Sequence, residues 1–114
     1  MKHLFVSYEL TLKLKEKGFD EECLGLYYKD GSFAYNPDSD VFVGAPLYQQ
    51  VIDWFREKHN IYIEIKLGIR NNLLYIGEIY TIRDTYKSNI KLTNYFDSYY
   101  KALTEAIEET LKLI

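Results

Sequence analysis

The sequence predicts an α+β fold with elements in the order α-β-β-α-β-β-α, in which an antiparallel sheet of about four strands has its helices packed mainly on one face. Three observations predict it. An Asp30-Gly31 pair divides two aromatic runs, the stretch Ile61 to Leu67 alternates between apolar and polar residues, and two long segments carry apolar residues at helical spacing. Hairpins pair antiparallel, and helices then cover the apolar side of the sheet they form.

The first segment carries two signals. Val6, Tyr8, Leu10, Leu12 and Leu14 alternate with Ser7, Glu9, Thr11 and Lys13, which is the period of a strand. Its ending is that of a helix. Gly18 suits the left-handed residue after a last turn, Phe19 would pack back on Leu14, and Ser7 can cap the start. With Leu, Lys and Glu as good helix formers, the ending decides for a helix over about 7–17.

Next come Cys23 to Lys29, the pair Asp30-Gly31, and Ser32 to Tyr35, a hairpin whose two turn positions are expected at positive φ. Asn36 to Gly44 is a connecting loop, and Pro46 suits the first position of the following helix. That helix sets Leu47, Val51, Trp54, Phe55 and Lys58 along one stripe, turns Gln49, Gln50, Asp53, Arg56 and Glu57 to water, and ends near His59-Asn60. Ile61, Ile63, Ile65 and Leu67 then alternate with Tyr62, Glu64 and Lys66 in a half-buried strand. Gly68 to Asn72 makes a turn, and the return strand, Leu73 to Ile82, is apolar on both faces, as a central strand is. The last helix begins near Asp97 or Ser98, faces inward with Leu103, Ile107, Leu111 and Ile114, and gains an exposed pair from Glu108 and Lys112. Leu14-Lys-Glu-Lys17 before the first hairpin echoes Phe55-Arg-Glu-Lys58 before the second.

One domain, 1–114, accommodates these elements: 114 residues support one hydrophobic core, and 47% hydrophobic with 27% charged residues is a globular composition. A net charge of -3 offers no excess of cations to neutralise phosphates, so duplex nucleic acid is not an expected partner. The single cysteine, Cys23, excludes an intrachain disulfide and points to a reducing cytoplasm. No membrane partner is expected, because the start lacks the apolar stretch of a signal peptide and no run of residues reaches the length of a span.

No catalytic residue, metal site or cofactor is expected. Cys23 with His3 or His59 is the only candidate nucleophile and base, and the thiol reads better as a small buried group. The same three residues lack the close spacing of zinc ligands. Asn36 to Val41 opens like a calcium loop but has Val41 where the glycine belongs and Leu47 where the bidentate Glu belongs. No glycine-rich phosphate loop follows a strand, and Glu108 with Glu109 reads as a solvated helix face.

Two surfaces could bind. The segment Arg83 to Phe96, read as a long connection, carries Arg83, Lys87 and Lys91 against one acid, with Tyr86, Tyr95 and Phe96 between them, a cationic and aromatic strip able to grip a small anionic ligand or a stacked base; a short extra edge strand is the bland reading. The outer sheet face is expected to gather Tyr62, Glu64, Lys66, Tyr75 and Tyr27, part of an unusual total of twelve tyrosines, either as cross-strand pairs or as an interface.

Three stretches carry a resemblance: Val6-Ser-Tyr-Glu-Leu with Leu14-Lys-Glu-Lys-Gly-Phe-Asp20, Ala45-Pro-Leu-Tyr-Gln-Gln-Val-Ile-Asp-Trp-Phe-Arg-Glu-Lys-His59, and Tyr99 to Ile114. Together they resemble a group of small phage- and prophage-encoded proteins of gut bacteria, over about half the chain, with the central stretch the most specific. That group offers no catalytic residues to carry over, and its members are shorter between the last strand and the last helix. The resemblance implies an accessory binding protein in the host cytoplasm, acting in counter-defence by sequestering a nucleotide-like signal or by blocking a host protein. The alternative is an assembly protein whose tyrosine-rich face joins a homo-oligomer. A small hydrolase using Tyr and carboxylate groups is the third reading.

Overall fold

Residues 2–35, 42–68 and 74–114 are described by the structure, a computed structural model. They form an α+β arrangement of three helices and two antiparallel sheets, each of three strands. The chain divides into two units, 1–54 and 55–114, and the division falls inside the second helix.

In the first unit a short 3-10 turn at Lys2–Leu4 leads to helix α1, Tyr8–Glu16. Ser7 caps it by accepting from the Leu10 N–H, and Gly18, at φ 98°, ends it. The Phe19 N–H returns to the Leu14 carbonyl, so the helical ending outweighs the strand-like alternation. Strands β1 (Gly25–Tyr28), β2 (Phe33–Tyr35) and β3 (Phe42–Ala45) follow, in the order β2-β1-β3. The Asp30-Gly31 turn differs from the expected one. Only Gly31 has positive φ, its N–H reaches the Tyr28 carbonyl, and the Asp30 carboxylate accepts from both the N–H and the hydroxyl of Ser32. That is a three-residue loop with a glycine bulge, not a two-residue turn. Part of the expected loop 36–44 is strand β3; the remainder, with the calcium-like Asn36 to Val41, lies outside the described residues.

An aromatic core closes this unit. Phe5, Tyr27 and Ala45 are buried, with Tyr8, Phe33 and Leu47 packed on them. Phe5 and Phe33 have ring centroids 4.8 Å apart, and the Tyr27 hydroxyl donates to the Val6 carbonyl at 2.5 Å. Phe19 meets Trp54 edge to face at 5.3 Å. Helix α2 runs Tyr48–His59, so Pro46 stands two residues ahead of it, with its carbonyl accepting from the Val6 N–H. Asn60, at φ 54°, stops α2, and its side-chain amide donates to the Ile82 carbonyl.

The second unit is an antiparallel meander, β4 (Ile61–Gly68), β5 (Leu74–Arg83) and β6 (Tyr86–Phe96), followed by helix α3, Tyr99–Leu111. Asp84 turns the chain into β6 at φ 57°. Ser98 caps α3, whose buried side comprises Ala102, Leu103, Ala106, Ile107, Thr110 and Leu111. The helix lies close on the sheet: a Cβ added at Gly77 would stand 3.0 Å from the Ala106 Cβ. Two corrections follow for this unit. The expected connection 83–96 is an eleven-residue edge strand. The expected sheet of about four strands is instead two sheets of three, because β1 and β5 each pair on both sides. The echo before the two hairpins does not extend to topology, since the first strand is central in one sheet and the middle strand in the other.

Candidate functional site

β4 and β5 pair without a register shift from Ile61↔Thr81 to Gly68↔Leu74. With a side-chain period of two, Ile61, Ile63 and Ile65 turn toward α3 together with Gly77 and Ile79. Tyr62, Glu64 and Lys66 therefore turn the other way, opposite Tyr80, Glu78 and Ile76. β6 adds Lys87, Leu92 and Tyr95 to this outer face, opposite Ile82, Glu78 and Ile76.

Glu64 and Glu78 face each other across the ladder, an arrangement that is repulsive if nothing separates the charges. Each is drawn to a different partner. Lys66 Nζ lies 2.6 Å from one oxygen of Glu78, and Lys87 pairs with the other. Glu78 is only 6% exposed, and the hydrogen bonds from these two lysines hold its carboxyl below the usual range. Glu78 in turn raises Lys66 above the ordinary lysine value. The Tyr80 hydroxyl donates to Glu64 at 2.6 Å, its ring stacks on Tyr62 at 5.3 Å, and the Lys87 ammonium sits 4.3 Å from the Tyr80 centroid. The hydrogen bond to Glu64, burial and the nearby carboxylates push the Tyr80 phenol up to about 12. At neutral pH Glu78 is thus held ionised and Tyr80 protonated, and neither is set to exchange a proton there.

The strip read from sequence is divided between two faces. Lys87 and Tyr95 lie on the outer face, while Lys91 pairs with Glu109 of α3 on the other. Glu109 also receives Lys112, so it is not the solvated carboxylate expected beside Glu108. Arg83 and Tyr86 oppose each other at the end of the β5-β6 hairpin, both exposed. Of the residues expected on the outer face, Tyr62 and Lys66 lie there. Tyr75 does not: it pairs with Leu67 and meets Tyr99 of α3 edge to face at 6.0 Å. Tyr27 is buried in the first unit, where its hydroxyl is spent on Val6. The centre of the site, Glu78 and Tyr80, escaped the sequence reading; its one signal was a glutamate inside the otherwise apolar stretch Leu73 to Ile82.

Elsewhere, a groove of about 480 Å³ in the first unit is lined by Glu22, Cys23, Leu47, Gln50 and Asp53 among others. Burial pushes the Cys23 thiol up, away from the reactive thiolate, and the thiol donates to the Glu21 carbonyl. Among the described residues no group of three His, Cys, Asp or Glu side chains could hold a metal ion, and no helix is long and apolar enough to cross a membrane. Compared with protein-family models, curated proteins and solved structures, the chain matches none.

Proposed function

We propose that the chain is an accessory binding protein without catalysis, and that the outer face of the β4-β5-β6 sheet is the surface its partner meets. The observation that carries this reading is the closed charge balance at the centre of the face, where Lys66 and Lys87 neutralise Glu78 and Glu64 takes the Tyr80 hydroxyl. Charges already paired cost less to cover with another protein surface than the same charges unpaired, whereas an anion would have to displace Glu78 from its lysines. Around the array stand exposed Ile82, Leu92 and Tyr95, the apolar and aromatic content that interface centres use. A host protein is the partner that the phage-like motifs imply, and blocking it is the counter-defence act. Sequestration of a nucleotide-like signal is the lesser reading, because Lys91 is withdrawn to the opposite face and held by Glu109.

The test is cross-linking capture from host lysate with the wild-type chain, a Leu92→Asp/Tyr95→Ala variant and, as a control on the first unit, Leu24→Ser. The expected result is one protein captured by the wild type and by the control and lost from the outer-face variant, with circular dichroism unchanged. Capture that the outer-face variant retains overturns the reading. A small molecule released from the purified chain on denaturation turns it toward sequestration.

A further inference from the structure

Charge is unevenly divided between the two units. Residues 1–54 hold nine Asp and Glu against five Lys, whereas residues 55–114 hold eight acids against nine Lys and Arg. The first unit is therefore the one that attracts cations. Its groove of about 480 Å³ lies between the segment just ahead of β1 and the opening turns of α2, and has the size of a small-molecule site.

The groove is held in shape by its own walls. The Gln50 amide nitrogen donates to the Glu22 carbonyl at 2.7 Å, which ties the segment to α2, and the Cys23 thiol donates to the Glu21 carbonyl. Cys23 also packs on β3, where a Cβ added at Gly44 would stand 3.0 Å from its Sγ. The polar inventory of the lining is one-sided. Gln50 spends its amide nitrogen on Glu22 and Gln49 spends its own on Asp53 at 3.0 Å, so both amide oxygens remain as acceptors with no donor among the described residues. The Glu22 carboxylate likewise has neither hydrogen bond nor ion pair among them. Asp53 adds a second carboxylate, and no Lys, Arg or His lines the groove; Lys15 reaches Gly44 but is not part of the lining. Leu24, 70% exposed, and Leu47 supply an apolar wall.

Acceptors without donors, two carboxylates and an apolar wall specify a cation with several N–H groups on a short hydrocarbon stem. A guanidinium carries five donors in a planar fork and is weakly hydrated, whereas an ammonium is a compact, strongly hydrated point charge. We propose that this groove binds a free alkylguanidine, its fork donating to Glu22 and to the Gln50 amide oxygen and its stem lying along Leu24 and Leu47. Because Glu22 and Leu24 are exposed, the contacts stay partly hydrated, and the dissociation constant is expected on the order of 1 mM. The site does not rest on the outer-face reading.

Proton–nitrogen correlation NMR of the full chain, titrated with butylguanidinium to about 20 mM, tests it. The expected result is saturating shifts at the Gln49 and Gln50 side-chain amides and at the backbone of Glu22 to Leu24. Butylurea, which has the same shape without the charge, is expected to give none, and butylammonium to bind at least fivefold more weakly. Glu22→Gln is expected to weaken butylguanidinium at least fivefold and Leu24→Ser about threefold, both with unchanged circular dichroism. Absence of saturation by 20 mM overturns the proposal, as do equal shifts with butylurea or shifts no larger at Gln49 and Gln50 than at exposed Asp30, which mark diffuse screening. A Gly-Arg-Gly tripeptide that binds more tightly than butylguanidinium overturns the assignment to a free ligand. The Leu92→Asp/Tyr95→Ala variant is expected to bind butylguanidinium as the wild type does, so loss of the host-protein reading and loss of this site are told apart.

Discussion

Tyr80 and Glu78 occupy one face of one strand and are tuned in opposite directions by what they touch. A phenol raised to about 12 holds its proton more tightly folded than unfolded, so its contribution to stability is complete below pH 10 and is lost as pH rises through the interval to 12. A tyrosine-resolved NMR titration is expected to find the Tyr80 ring, like that of buried Tyr27, still protonated when exposed tyrosines have ionised, and Glu64→Gln is expected to bring the Tyr80 ring alone down toward 10. Glu78 has the reverse sign. Its depressed carboxyl adds stability above the ordinary glutamate value of 4.5, and that stability disappears as pH falls through the lower folded value. Glu78→Gln removes the charge that both lysines share, and urea unfolding at pH 7 is expected to show a loss of about 1–2 kcal/mol, shrinking as the pH is lowered past 4.

Three helix ends were plain in the sequence because they rest on local chemistry: Ser7, Gly18 and Ser98 each do in the structure what their residue type does in any chain, whereas α2 begins two residues after Pro46 and α3 stops at Leu111, short of the expected C-terminal end. The regular strands were legible from their apolar content, Ile61–Gly68 by a buried side that enforces alternation and Leu74–Arg83 by apolar residues on both faces. β3 and β6 were not. β3 is four residues long with Gly44 inside it, and β6 is exposed, rich in Asn, Ser and Lys, and shifted twice in register, so no period of two survives. The outer face was legible in β4 and lost in β5, where Tyr75 takes the α3 side and the informative residues are Glu78 and Tyr80. One shift has a visible compensation: the Gly77 N–H is taken by the Thr93 hydroxyl at 2.8 Å, and that hydroxyl donates to the Asn94 carbonyl. Close approach disfavours a side chain at two glycines. A Cβ at Gly25 would fall 2.5 Å from the Phe33 ring, and one at Gly77 would press on Ala106 and Thr93, both at 3.0 Å. Gly25→Ala and Gly77→Ala are each expected to cost about 1–3 kcal/mol in urea unfolding, with Gly25→Ala the larger.

For the whole chain, a net charge of -3 conceals that the two lysines of the outer face, Lys66 and Lys87, are both held by Glu78, while Lys91 and Lys112 pair with Glu109 and Lys101 with Asp97. A partner bound through the outer face is therefore expected to bind with little dependence on salt, its affinity changing less than about threefold between 50 and 500 mM, as isothermal calorimetry would read. Steep weakening over that range would mean that free charge carries the binding. The distribution of chromophores adds an optical consequence. The only tryptophan, Trp54, is sealed against Phe19 at the end of the first unit, while the stacked Tyr62 and Tyr80 belong to the second. Indole emission thus reports on the first unit from a single residue of an unlabelled molecule, and comparing its melt with the far-ultraviolet circular dichroism of the whole chain tells whether the two halves let go together or in turn.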